Sequence, residues 1–184
     1  VDGTPITQTV GLTVTAAALS DTASRVVAAV ADFVAGGGAS VTFTARDAFG
    51  NPLAGLPVTF AVSGTGNTLT QPAAATDAAG QTTGSFTSTD AGQKIITATI
   101  DGTVIVHADT VVVTAGAIDA ATSTVTASPT SISADGGAST ITVTARDASN
   151  NPVVGATVVI AATGVDNTIT QPLAVTDANG EATG

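Results

Sequence analysis

Apolar and polar residues alternate with a period of two along most of this chain. The segments at 41–45, 58–62 and 96–100 each place three apolar side chains on one face, and mainly threonine or other small residues on the opposite face. Successive side chains of a β-strand point to opposite faces, so each segment predicts a strand with one buried face. Helical spacing sustained over three turns is not found anywhere in the sequence.

The same pattern occurs a second time. Residues 41–84 and 141–184 align without a gap at an offset of 100, and 24 of the 44 aligned positions are identical. Segments 141–145 and 158–162 repeat the inward apolar positions of the first copy. A period near 100 exceeds the 20–50 residues of a solenoid repeat and matches one small independent β domain. The sequence therefore predicts a tandem array of like domains.

The repeat also suggests domain boundaries. The opening Val-Asp-Gly-Thr resembles residues 100–103 at an offset of 99. We expect residues 1–17 to be the last strand of a preceding repeat, 18–117 a complete repeat, and 118–184 a second repeat that is truncated before its last strands. No basic start followed by an apolar stretch and a cleavage site opens the sequence, and we expect a window on a longer polypeptide.

Turn-forming residues separate the apolar segments at intervals of roughly 8–12 residues. One pair, Asp101-Gly102, follows the segment 96–100 and favours a two-residue hairpin of type I′, which needs positive φ at both positions. The expected fold is all-β, with about seven short antiparallel strands per repeat packed as two sheets in a sandwich.

Composition narrows the classes of function. Threonine accounts for 35 of 184 residues, and cysteine is absent, so disulfides and thiolate metal sites do not occur. The net charge is −10 with only four Lys and Arg residues, which argues against nucleic acid and anionic membranes as partners. Mean hydropathy is +0.44, yet no apolar run approaches the ~20 residues needed to span a bilayer.

The sequence of the second repeat resembles a known family. Its residues 128–137, 141–147, 151–156 and 176–180 look like the bacterial Ig-like domain group 1, which builds the extracellular rods of invasin- and intimin-like adhesins. The resemblance implies tandem immunoglobulin-like domains at the bacterial cell surface. It also implies neighbouring repeats or other copies as partners, and a surface receptor bound only through domains outside this chain. Repeat one departs from the pattern at 25–34, so its first strand is expected to sit differently.

We find no sequence signature of catalysis. A hydrolase needs a nucleophile, a base and an orienting group, and His107 is the only histidine, on a predicted strand surface. The recurring aspartates at turns are expected to accept hydrogen bonds from nearby backbone N–H groups. They are Asp47, Asp77, Asp147 and Asp177. No catalytic, cofactor-binding or metal-binding residues are therefore assigned.

Three further possibilities concern charged side chains. An interdomain calcium ion remains an alternative, although it needs six to eight oxygen ligands and only Asp119, or Asp21 in the earlier stretch, lies near a domain boundary. Arg46 and Arg146 are expected to pair with carboxylates across the sheet, and contact with a ligand is the alternative. Lys94 is the single lysine, so Lys–Asn crosslinks are not a general device of these repeats.

The leading hypothesis is a non-catalytic structural repeat of a bacterial extracellular fibre or adhesin stalk. One alternative is a filament subunit that donates the strand 1–17 to the open edge of repeat two in another copy. A second alternative is a glycan- or protein-binding module, for which Phe49 is the only aromatic residue in a predicted loop.

Overall fold

A computed structural model describes residues 9–184. The first half of the predicted strand 1–17 lies outside the described residues, and residues 9–17 form no strand. Every regular element in the described part of the chain is a β-strand, and no helix there could cross a bilayer.

Repeat one is a sandwich of two sheets built from nine strands, two of them only two or three residues long. The strands are β1 (Arg25–Ala28), β2 (Asp32–Val34), β3 (Gly38–Thr44), β4 (Thr59–Val62), β5 (Asn67–Thr70), β6 (Gln81–Ser88), β7 (Gly92–Ile100), β8 (Thr103–Val104) and β9 (Asp109–Thr114). One sheet has the order β1-β3-β6-β5, and the other has the order β2-β9-β7-β4 with β8 paired to β7. The predicted all-β sandwich is confirmed, except that β2 pairs with β9 in parallel.

The core of repeat one lies between the two sheets. Several of its most completely buried side chains, Val41, Phe43, Phe60 and Ile96, come from the inward positions that the alternation predicted. Others, such as Phe86 and Val111, lie in strands outside the predicted segments. The predicted hairpin also forms, since Asp101 (φ 47°) and Gly102 (φ 81°) connect β7 to β8.

Repeat two contains three strands among the described residues, β10 (Thr124–Ser128), β11 (Thr140–Thr144) and β12 (Glu181–Thr183), in the order β10-β11-β12. The first strands of the two repeats occupy the same place. β1 pairs Arg25 with Thr44 and β10 pairs Thr124 with Thr144, so the expected displacement in repeat one is wrong. Backbone pairing fixes this register, and the differing side chains do not alter it.

The strand predicted at 158–162 does not form in repeat two. Its counterpart in repeat one, β4, pairs with β7 alone, from Thr59↔Thr99 to Val62↔Ile96. At the repeat offset, the counterpart of β7 falls beyond residue 184. A strand without a neighbour has no ladder of hydrogen bonds, so the alternating pattern in this segment is not sufficient to produce one.

Candidate functional site

The loop that follows β3 is organised by one carboxylate. Asp47 Oδ1 accepts hydrogen bonds from the N–H groups of Phe49 and Asn51, each at 2.9 Å. Its Oδ2 accepts from the side-chain amide of Asn51 and from the backbone N–H of Ala17, also at 2.9 Å. The carboxylate therefore closes its own turn and ties it to the chain that enters the repeat.

Repeat two builds the same arrangement where it meets repeat one. Asp147 Oδ1 accepts from the N–H groups of Ser149 (2.9 Å) and Asn151 (2.8 Å). Oδ2 accepts from the side chain of Asn151 and from the N–H of Gly116, both at 2.8 Å. Gly116 lies just after β9, so this carboxylate joins the end of repeat one to the first loop of repeat two.

The side chain of Asn151 adds a second connection between the repeats. Its Nδ2 donates to the carbonyl of Thr89 at 2.8 Å, and its Oδ1 accepts from the N–H of Ala91 at 2.8 Å. Thr89 and Ala91 belong to the turn between β6 and β7 of repeat one. One buried amide, 8% exposed, therefore uses both its oxygen and its nitrogen to hold the backbone of the neighbouring domain.

A groove lies beside this junction. It has a volume of about 390 Å³ and is bounded by both repeats. Repeat one contributes Val34 and Ala35, the linker contributes residues 116–119, and repeat two contributes residues 147–149. The small side chains of Ala148 and Ser149 leave this space open.

The hydrogen bonds at these turns perturb both carboxyl groups. The side-chain amide of Asn51 and three backbone N–H groups lower the pKa of Asp47 to about 2, although burial acts in the opposite direction. Burial alone raises the pKa of Asp147, but the bonds from Asn151, Gly116 and Ser149 outweigh it and leave the pKa below its usual range. Both groups act as charged acceptors that hold the turn and the linker together.

The other recurring aspartates also behave as predicted. Asp77 Oδ1 accepts from the N–H groups of Ala79 and Gln81, at 2.9 and 2.8 Å. Asp177 accepts the equivalent pair from Asn179 and Glu181. The prediction that turn aspartates bond nearby backbone N–H groups is confirmed at all four positions.

The arginine prediction is wrong in its partner. Arg46 Nη1 donates to the carbonyl of Gly50 at 2.8 Å, and Arg146 Nη1 donates to the carbonyl of Asn150 at 2.9 Å. Each guanidinium caps the turn that its neighbouring aspartate organises, because that carbonyl lies only four residues away. Sequence alternation gives no information on such local contacts.

The remaining candidate residues lie apart from one another. His107 is exposed, and its carbonyl accepts from the N–H of Val26. Lys94 is buried and donates to the carbonyl of Thr65 at 2.8 Å. Phe49 is 84% exposed in the loop after β3, as expected for a loop aromatic.

The acidic residues near the junction do not converge. Asp119 Oδ1 accepts the N–H of Ala121 at 2.7 Å, and both oxygens of Asp147 already accept N–H donors. Within residues 9–184, no three His, Cys, Asp or Glu side chains group as metal ligands would. The calcium alternative stays a prediction without a ligand set in this part of the chain.

The sequence contains a signal for the Asn151 contact that alternation does not capture. The pattern Asp-x-x-x-Asn-Pro occurs at 47–52 and again at 147–152. The pattern itself predicts only a turn, because the bond from Asn151 to the other domain depends on how the two repeats meet. The one sequence signal for this contact is that both repeats have asparagine at the same position.

A β-sandwich repeat and a second repeat that shares its turns, joined through a hydrogen-bonded junction, are typical of multidomain Ig-like proteins. Comparison with known families agrees, because residues 23–115 and 122–184 match the bacterial Ig-like domain (group 1). The chain belongs to this family.

Known adhesins are similar to this chain. The inverse autotransporter adhesin YeeJ of Escherichia coli strain K12 is 34% identical over 148 residues, which are 79% of this chain and 6% of YeeJ. The chain thus corresponds to a small part of that relative. Since the relatives are bacterial adhesins, they agree with the cell-surface location expected from the sequence.

Two solved structures show the same fold. The Escherichia coli adhesin FdeC is 25% identical with a TM-score of 0.59, covering 91% of this chain and 55% of FdeC. Invasin, a bacterial integrin-binding protein, is 28% identical with a TM-score of 0.57, covering 72% of this chain and 28% of invasin.

Proposed function

We propose that this chain is a non-catalytic spacer segment in the stalk of a bacterial surface adhesin. Its task is mechanical: it holds successive Ig-like repeats in a fixed relation and so carries other parts of the protein away from the cell. The observation that carries the proposal is the bond pair from Asn151 to Thr89 and Ala91 across the junction.

The junction chemistry supports a stiff connection. The linker N–H of Gly116 is bonded to Asp147, and the N–H of Asp119 donates to the carbonyl of Arg146 at 2.8 Å. The hydroxyl of Thr122 donates to the carbonyl of Asp147, also at 2.8 Å. A linker held by such bonds loses the freedom of a flexible Gly/Ser tract.

The repeat boundaries form part of the proposal. We propose repeats at 18–117 and 118–184, with residues 1–17 as the last strand of a preceding repeat. In support, Ala17 and Gly116 each donate a backbone N–H to the Asp of the following loop, at equivalent places.

Distance measurements between two spin labels test the spacer proposal. The chain has no cysteine, so Val104→Cys in β8 and Thr126→Cys in β10 give one label in each repeat. We expect a narrow distance distribution by double electron–electron resonance. Asn151→Ala should broaden it, because it removes both bonds to the turn of repeat one.

Asn51→Ala is the matched control for this experiment. It removes the same bond to an aspartate within a turn, but among the described residues the side chain of Asn51 bonds only within its own loop. The control should leave the distribution narrow. A distribution that is already broad in the unmodified protein contradicts a rigid spacer.

Strand donation between copies is a second candidate, favoured by the residues before repeat one. Leu12 and Val14 are 87% and 86% exposed, yet at the 99-residue offset they correspond to Val111 and Val113, which are buried in β9. An unpaired segment with this pattern can add to an open sheet of another copy.

Sedimentation at increasing protein concentration tests strand donation. We expect association that Leu12→Asp with Val14→Asp abolishes, while Thr13→Asp, on the opposite face, preserves it. Sedimentation as a monomer at every concentration contradicts this candidate and leaves the spacer proposal intact.

A further inference from the structure

The first loop of repeat one has the same construction as the loop of repeat two that contacts repeat one. The two loops share the Asp-x-x-x-Asn-Pro pattern and the same set of four bonds to the aspartate. They differ in what covers them, since Asn151 is buried against the turn at Thr89–Ala91, whereas Asn51 is exposed.

We propose that the loop formed by residues 47–51 is a docking surface for a preceding Ig-like repeat of the same kind, with Asn51 and Phe49 as its two anchors. The proposal rests on the spacer function, and it adds a partner and two contact residues to it.

Asn51 supplies the polar part of this surface. Its Nδ2 already donates one hydrogen bond to Asp47, which fixes the orientation of the amide. An amide nitrogen has a second proton to donate, and its oxygen can accept. Asn151 uses these two capacities on a carbonyl and an N–H two residues apart in the turn between β6 and β7. A turn of the same kind in a preceding repeat therefore fits Asn51.

Phe49 supplies the apolar part. It stands at the position of Ser149, which borders the groove of about 390 Å³ between the two repeats. The groove is also lined by Val34 and Ala35, at the end of repeat one that faces the junction. A phenyl ring in place of the small serine would enter this space and contact those apolar side chains. Phe49 is 84% exposed, so its ring is available for such a contact.

The partner is thus defined by two features. It presents a turn whose carbonyl and N–H, two residues apart, bond an asparagine amide, and beside it a small apolar pair that admits a phenyl ring. The far end of repeat one has both, in Thr89–Ala91 and in Val34–Ala35. The partner that fits this surface is therefore another repeat of the same family.

An extended chain tests the proposal. Residues 18–99 are added before Val1, so that residues 1–17 can complete the added repeat and the whole natural chain is retained. Circular dichroism shows whether the added repeat folds. If it does not fold, a second extended chain, in which residues 18–116 replace residues 1–17, is used in its place.

The first readout is hydrogen exchange of the Asn side-chain amides by NMR. In the unmodified chain we expect the outer Nδ2 proton of Asn51 to exchange faster than that of Asn151, which donates to Thr89. In the extended chain, the rate of hydrogen exchange at the outer Nδ2 proton of Asn51 should fall about tenfold. This factor corresponds to the formation of one hydrogen bond of ordinary net strength. Asn151 serves as the internal reference and should not change.

The second readout is fluorescence from Phe49→Trp, since the chain has no other tryptophan or tyrosine. The emission should shift to the blue when a preceding repeat is added. Val165→Trp, at an exposed position in repeat two, is the control and should not shift.

Three outcomes overturn the proposal. Unchanged exchange at Asn51 in a folded extended chain means that its amide binds no preceding repeat, and unchanged emission of the Phe49→Trp variant removes the apolar anchor. A blue shift that depends on the concentration of the unextended chain means that a second copy occupies the surface instead. The spin-label distances between repeats one and two are independent of all three, so the spacer proposal stands or fails separately.

Discussion

Single carboxylates determine how the loops of this protein close. Asp47 is completely buried, and its two oxygens accept four N–H donors from the entering chain and from its own turn. Bonds to an ionised acceptor are stronger than those between neutral groups. The loop therefore depends on the charge of this side chain, which links its structure to pH.

Acid should weaken repeat one through Asp47. Its pKa is lowered from 3.8 to about 2 in the folded protein, so the ionised group stabilises the fold above its ordinary pKa. That contribution is lost as the pH falls from about 4 through 2. The urea midpoint of repeat one, followed by circular dichroism, should fall over this interval.

Asp47→Asn isolates this residue in the acid titration. The variant should be less stable at neutral pH, because an amide replaces a carboxylate among N–H donors, and its profile should be flatter under acid. Asp101→Asn removes a charge from the β7–β8 turn and controls for net charge. Equal acid profiles for Asp47→Asn and the unmodified protein contradict the role given to Asp47.

At the scale of elements, the sequence correctly predicted those strands in which burial depends only on the face of the strand to which a side chain points. Val41, Phe43 and Phe60 lie inward as the alternation required. The parallel pairing of β2 with β9 and the loss of the strand at 158–162 were not predictable in this way. Both depend on which segment is available as a neighbour, and alternation carries no information about neighbours.

The close approach of a turn to the residue that follows β3 in repeat one, and β11 in repeat two, explains one glycine in each repeat. Gly80 has φ +76°, and a Cβ there would lie 2.5 Å from the carbonyl oxygen of Ala45; at Gly180 the corresponding distance to Ala145 is 2.4 Å. The left-handed conformation and the backbone contact both favour glycine at these positions.

Gly80→Ala should therefore destabilise repeat one by more than the cost of placing an alanine in the left-handed conformation, because the added Cβ also clashes with the carbonyl of Ala45. Gly55→Ala is the matched variant, since Gly55 has φ +79° with nothing within 4 Å of an added Cβ. We expect Gly55→Ala to cost about 1 kcal/mol, as a left-handed alanine does, and Gly80→Ala to cost clearly more by urea unfolding. Equal losses for the two variants contradict a steric role for the contact with Ala45.

At the scale of the whole molecule, the junction was the part least accessible from sequence. The bonds from Asn151 to Thr89 and Ala91 join residues about 60 positions apart. The repeated Asp and Asn indicated a common turn in both repeats. Only the arrangement of the two domains shows that the same turn also connects them.

The groove at this junction offers a test within the natural chain. Ser149→Phe places in repeat two the residue that repeat one has at the same position, Phe49. The ring should occupy the space of about 390 Å³ beside Val34 and Ala35. Removing a phenyl ring from water in this way should stabilise repeat two by about 1–2 kcal/mol. Urea unfolding measures this change.

Ser149→Ala separates the effect of the ring from the loss of the hydroxyl, and it should leave the stability nearly unchanged. The spin-label distribution between the repeats should remain narrow in Ser149→Phe, because the ring packs against both domains while the bonds of Asn151 persist. Lower stability or a broader distribution would mean that the groove cannot admit a phenyl ring. Phe49 could then not be expected to enter the equivalent groove of a preceding repeat. This variant therefore also tests the docking surface formed by residues 47–51.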